Sequence, residues 1–194
     1  MVTTSVKSYT APDVDVREVL RYCRARSADD GLNALIEACV QEAKDVLSYK
    51  VCYCTLPVSV GETNVDFGFA VADSADLAAC LKGMTEAVIF CATVGMGIDR
   101  LTNKYAALSP SRALVFQALG TERVEALANA FCEDIKADFC KSSPRFSPGY
   151  GDLSVEFQRT IFQELSITKN LGVTLSDGIM MSPTKSVTAI VGVR

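Results

Sequence analysis

Apolar residues recur at helical spacing near the start of the chain. Val16, Val19, Leu20 and Cys23 mark one face of a short helix, and Asp29-Asp30-Gly31 reads as the turn that ends it. Leu32, Leu35, Ile36, Cys39, Val40, Ala43, Val46 and Leu47 then line one face of a longer helix. From Lys50 the texture becomes strand-like over residues 51–56, 58–60 and 65–70, punctuated by Pro57, Gly61 and Asn64. Residues 74–82 predict a short helix with a Ser/Asp start. Residues 87–94 are continuously apolar, as a central strand buried on both faces requires.

A helix follows over residues 98–108. Ser109-Pro110 then pairs an N-cap with proline at the first helical position, opening a long helix that reaches Cys140, with Gly120 as a weak point at which it would split. Residues 141–151 are a loop by composition, 154–165 a helix and 171–175 a connector, and 178–181 with 186–193 form a closing pair of strands. Helices come first, a sheet in the middle, and the last strands after a helix. This departs from βαβ alternation and predicts an α+β fold in one domain over residues 1–194.

Composition narrows the function classes. A net charge of −4 with no Lys/Arg cluster argues against a nucleic-acid partner. The polar N-terminus is no signal peptide and no apolar run is long enough to span a bilayer, so the expectation is a cytoplasmic protein with no membrane partner. In a reducing compartment the eight cysteines are expected as free thiols without a stoichiometric metal. Cys52-Tyr-Cys54 puts two thiols on one face of a strand, which suits either a metal or redox pair or, the favoured reading, two small buried apolar residues. Histidine is absent, which removes Ser-His-Asp and Cys-His catalysis, His-ligated zinc and a histidine base together. Chemistry that moves no proton fits such a chain better than hydrolysis.

Two glycine-containing segments invite a ligand. Gly95 and Gly97 follow the apolar strand, but Arg100 stands where a dinucleotide fingerprint needs glycine, and no acidic strand end follows, so a plain strand-to-helix turn is favoured. Arg145-Phe-Ser-Pro-Gly149-Tyr150-Gly151 carries the stronger signal. Prolines stiffen it, glycines let a ligand approach its backbone, the arginine can clamp a carboxylate or phosphate through two parallel hydrogen bonds, and Tyr150 offers a flat face for a purine. The residues alone fit a ligand loop and an ordinary rigid turn equally.

The ordered set Arg145-x-x-x-Gly149-Tyr150, a helix with Phe162-Gln-Glu-Leu165, Leu171-Gly-Val-Thr-Leu175 and Met181-Ser-Pro-Thr-Lys-Ser-Val187 resembles the activation domain of cobalamin-dependent methionine synthase. That family shows R-P-A-P-G-Y, a helix, a Gly-x-x-Leu-Thr-Glu-Ser turn and M-x-P-x-x-S-V. Residues 126–133 are similar to the family's preceding helix, and residues 14–21 are closer to its stand-alone relatives.

The resemblance implies a single C-shaped α+β domain with a central, mainly antiparallel twisted sheet flanked by helices, binding S-adenosylmethionine in a shallow groove. It implies that Arg145 holds the ligand carboxylate and that Ser147, Gly149 and Tyr150 form the loop side. Asn129 stands where the family has a ligand-contacting glutamate, with Glu133 one turn later as its substitute, and Asp15 matches an N-terminal aspartate. The fused domain continues beyond M-x-P-x-x-S-V with aromatic residues, so a rebuilt pocket and lower affinity are expected of a chain that stops at Arg194.

No catalytic residue is implied. Cobalamin would be carried by a partner, since the corrinoid-binding D-x-H-x-x-G motif needs a histidine, and a low-potential electron donor would serve both chains. The partner is expected to be methionine synthase or another corrinoid protein, such as one serving methylamine or aryl-ether demethylation. A non-catalytic docking protein is the alternative.

Overall fold

The computed structural model describes residues 2–25, 27 and 29–194. Its centre is a four-stranded antiparallel sheet in the order β1-β2-β6-β9, formed by β1 (Ser5–Tyr9), β2 (Tyr49–Pro57), β6 (Glu86–Thr93) and β9 (Ser186–Val193). The α+β expectation holds: the sheet is antiparallel, and helices flank it.

Side-chain alternation assigns the two faces. Tyr49, Val51, Val88, Phe90, Ala92, Ala189, Val191 and Val193 face a core shared with α1 (Val16–Tyr22), α2 (Asp30–Ala43), α4 (Gly97–Leu108) and α5 (Pro110–Asp138). Cys52, Cys54, Leu56, Ala87, Ile89, Cys91 and Ile190 face a second core built with α3 (Ala75–Cys80), α6 (Phe157–Glu164) and α7 (Ile167–Leu171). A small sheet of β3 (Ser59–Val60), β4 (Asn64–Asp66) and β5 (Val71–Asp73) closes that side. Strand β6 is buried on both faces, which accounts for its unbroken apolar run. Cys52 and Cys54 are packed in the second core, and burial pushes the Cys54 thiol up to about 12. Among the described residues no group of three or more metal-ligating side chains converges, and no helix is long and apolar enough to cross a membrane.

Several boundaries differ from the sequence-based expectation. Asp29-Asp30-Gly31 does not close the first helix: Asp29 is the N-cap of α2, accepting from the Leu32 amide at 2.8 Å, and Asp30 and Gly31 lie in that helix's first turn. Gly120 does not split α5, which runs unbroken for 29 residues. A Cβ at Gly120 would come within 2.9 Å of Ile98 and of the Lys185 stem, so glycine lets these elements close on the helix. That gain outweighs its intrinsic cost of about 1 kcal/mol. The expected closing pair is not a pair. Strand β8 (Met181–Ser182) joins β7 (Thr174–Leu175) in a separate hairpin, and β9 pairs with β6. Strand β1 shows no apolar alternation because it is an exposed edge. It is held by pairing with β2 and by Lys7 and Tyr9, which both reach Asp134 on α5.

Gly95 and Gly97 serve the turn into α4. Gly95 has a φ of +80°, and a Cβ at Gly97 would lie 2.0 Å from the Val46 carbonyl oxygen.

The connector from β1 to α1 is fastened by a buried ion pair on α5. Arg123 donates through Nε and Nη2 to Glu122 at 2.5 Å, and its two Nη atoms also donate to the carbonyls of Pro12 and Asp13. Glu122 accepts from the Asp15 amide at 3.2 Å, and the Glu122 and Arg123 side chains are almost wholly buried. The guanidinium thus ties the Pro12 and Asp13 carbonyls to its own helix partner Glu122, and losing one partner strands a charge in the core. Replacing Arg123 with methionine, which keeps most of the volume, is expected to destabilise the protein by about 3–5 kcal/mol in urea unfolding. A loss below about 1 kcal/mol would show that the pair does not hold the N-terminal segment.

Candidate functional site

Residues 141–146 leave α5 and run back along the outer edge of β9. Lys141 and Arg194 exchange amide hydrogen bonds at 3.0 Å each, the Ser143 amide donates to Gly192 at 2.8 Å, and Phe146 exchanges bonds with Ile190 at 2.7 and 2.8 Å. Pro144 has no amide to add, so the segment never becomes a regular strand. The Ser143 hydroxyl stands in for a missing partner by accepting from the Gly192 amide at 2.9 Å. Along this segment Phe146 turns toward the second core, while Arg145 turns toward α5.

Between the segment and α5 lies a hollow of about 270 Å³ walled by Asn129, Cys132, Glu133, Lys136, Ser142, Ser143, Pro144, Arg145 and Val191. Three of the expected residues, Asn129, Glu133 and Arg145, therefore meet at one place. Positions 125, 129 and 133 follow one another at i, i+4 spacing and so share a face of α5. Glu125 makes use of that face. Its Oε2 accepts from Arg145 Nη2 at 2.6 Å, with both side chains partly open to solvent. The sequence alone does not single out this partner, because spacing places Glu125 on the Asn129 face but not against Arg145. Glu133 is on the rim and pairs with Lys136 at 2.7 Å. Burial pushes the Cys132 thiol up, and the nearby Arg145 and Lys136 charges act against it.

Ser147, Gly149 and Tyr150 lie beyond the hollow's walls, in the turn that ends the edge segment. Ser147 is buried, Gly149 has a φ of +90°, and Tyr150 is 57% exposed with its ring edge-on to Phe146 at 6.0 Å. The Tyr150 amide donates to Ser147 and the Leu153 amide to Tyr150, at 2.9 and 3.0 Å. Asp15 is placed apart from both groups. It caps α1 through the Arg17 and Glu18 amides, and its amide contacts Glu122, about 10 Å along α5 from Asn129.

The turn is tied down by Asp152. Its carboxylate accepts from the Ser74 hydroxyl and from the Ala75 amide at 2.8 Å, while Asp76 accepts from the Asp152 amide at 3.2 Å. Gly151 presses on this exchange, since a Cβ there would sit 2.2 Å from Asp76 Oδ2. The Ser74 hydrogen bond, followed by those from the backbone amides, holds the Asp152 carboxyl below its ordinary 3.8.

The class defined by this arrangement is an α+β domain with helices on both faces of an antiparallel sheet and an arginine-bearing segment sealing one sheet edge. A solved structure of the MetH reactivation domain bound to AdoHcy has the same fold, with a TM-score of 0.73 over 99% of this chain and 78% of that one. Sequence identity is 14%, so the likeness is one of fold. No protein-family model matches the sequence, and no curated protein matches it.

Because the folded Asp152 carboxyl titrates below the unfolded one, its tether is complete above the ordinary carboxylate range and is lost as pH falls through the folded value. Amide hydrogen exchange at Ala75 and in the Gly149–Gly151 turn is therefore expected to rise in Asp152→Ala at neutral pH. Unchanged protection would leave the turn held without Asp152.

Proposed function

We propose that this chain binds S-adenosylmethionine at the Arg145 hollow and serves as a separate reactivation module for a corrinoid-dependent methyltransferase. The observation that carries the reading is the meeting of Arg145 and the Asn129–Glu133 face of α5 in one hollow, in a fold shared with a domain bound to AdoHcy. The residues present fit such a ligand. Arg145 gives one Nη2 bond to Glu125, which leaves other donors of its fork for a carboxylate.

Size sets the orientation. The hollow, at about 270 Å³, falls just short of the range of about 300–1,000 Å³ that encloses a whole drug-sized molecule. It therefore suits the amino-acid end, with the nucleoside lying along the edge segment toward Tyr150.

Bound there, S-adenosylmethionine would supply an electrophilic sulfonium methyl to the electron pair of Co(I) carried by the partner, its S–CH3 bond breaking to leave S-adenosylhomocysteine. The residues of this chain anchor the ligand, orient it and limit water, which is catalysis by proximity. No side chain here has to shuttle a proton, in keeping with a chain that has no histidine. Ser147 and Gly149 shape the turn, and Tyr150 presents its exposed ring beside it. Asp15 acts at a distance by fixing α1 to α5. Electrons come from a low-potential donor, and the corrinoid partner is methionine synthase or another corrinoid protein of the cytoplasm.

Asn129, and the engagement of Glu133 with Lys136, favour one second reading: a docking protein for the same partner that holds no ligand. Titration calorimetry separates the two. S-adenosylmethionine is expected to bind, with Arg145→Ala costing about 2–4 kcal/mol and Arg145→Lys recovering part of the loss. With a Co(II) corrinoid protein and a strong reductant, the chain is expected to speed formation of the methylated corrinoid, read from its absorption spectrum. Equal rates without the chain would overturn the reactivation role.

A further inference from the structure

We infer that Arg145 and Glu125 together form a receptor for a zwitterion, in which Glu125 takes the α-ammonium of the ligand whose carboxylate Arg145 takes. The inference rests on the functional reading above and assigns the ammonium contact within it.

Three carboxylates were expected or available near the ligand's amino-acid end, and their surroundings differ. Asp15 caps α1 and lies about two helical turns from Asn129. Glu133 is the more exposed, and it is already paired with the Lys136 ammonium at 2.7 Å. Among the described residues Glu125 has no lysine on it, and its one cation is the guanidinium proposed to hold the carboxylate. An amino-acid head group carries both charges on one carbon. A receptor for it needs an anion and a cation a few ångströms apart, and the Arg145–Glu125 pair has that spacing.

The pair also explains selectivity. A ligand with a carboxylate alone would bring a second anion to a guanidinium that Glu125 already neutralises. A ligand with an ammonium alone would meet the guanidinium unopposed. Only the zwitterion replaces the internal ion pair with two new ones at no net change in charge. The open solvent around both side chains lets the pair separate far enough to admit it. On this account Asn129 needs no charge, because the carboxylate one turn earlier supplies it.

The test compares the unaltered chain with Glu125→Gln by calorimetry against three ligands. These are S-adenosylhomocysteine, its analogue with the α-amino group replaced by hydrogen, and 5′-methylthioadenosine, which lacks the whole amino-acid end. Glu125→Gln is expected to weaken S-adenosylhomocysteine by about 10- to 100-fold. It should leave 5′-methylthioadenosine within about twofold and tighten the deaminated analogue, because the competing anion is gone. Tighter S-adenosylhomocysteine binding in the variant would make Glu125 a competitor for Arg145 and overturn the assignment. An equal loss for all three ligands would make its role structural and overturn it too. If none of the three binds the unaltered chain, the functional reading falls, and this inference with it.

Discussion

A strand at the edge of a sheet offers a row of unpaired amides and carbonyls, and on β9 that row is met by residues 141–146. Pro144 prevents this segment from becoming a regular fifth strand of the sheet, and the Ser143 hydroxyl repairs the pairing around it. Coverage of the edge by an irregular segment has a positional consequence. Its side chains alternate across the sheet edge, so Phe146 secures the second core while Arg145 is delivered to the face that carries α5. Had the segment continued as a plain strand, the backbone could not have turned at Gly149 to present Tyr150 beside the same edge.

The opposite wall depends on α5. This helix packs Phe131 against Phe90 and Tyr53, at 4.9 and 5.0 Å between ring centres, and so fixes its rotation relative to the sheet. The rotation decides which residues face the edge segment: Glu125, Asn129 and Glu133 do, while Leu127, Phe131 and Ile135 go to the core. Further back, the Glu122–Arg123 pair clasps the N-terminal segment onto the same helix. Site and scaffold therefore share one element, and the face exposed to a ligand is the complement of the face that packs.

Much of the fold was legible in the sequence because burial imposes a period. The apolar stripe of α2, the unbroken run of β6 and the Ser-Pro start of α5 each announced their elements. What escaped was decided by tertiary contacts. Strand β1 is polar because it is an exposed edge, and the β7–β8 hairpin has too few residues to show any alternation. Asp29 is ambiguous in the sequence because Asp-Asp-Gly fits a turn as well as the start of a helix. At the site, the loop chemistry marked Arg145, Gly149 and Tyr150, and the resemblance supplied Asn129 and Glu133. Glu125 stayed hidden because a single glutamate on a helix looks like any solvated one until an arginine distant in sequence is placed against it.

The most direct measurement of the central claim is a crystal structure of the chain with S-adenosylhomocysteine. The account predicts the amino-acid end between α5 and the 142–145 segment, with the carboxylate on the Arg145 guanidinium and the adenosine extending toward Tyr150. Ligand density elsewhere, for instance in the hollow lined by Arg159, Gln163 and Lys169 beside α6, would contradict it.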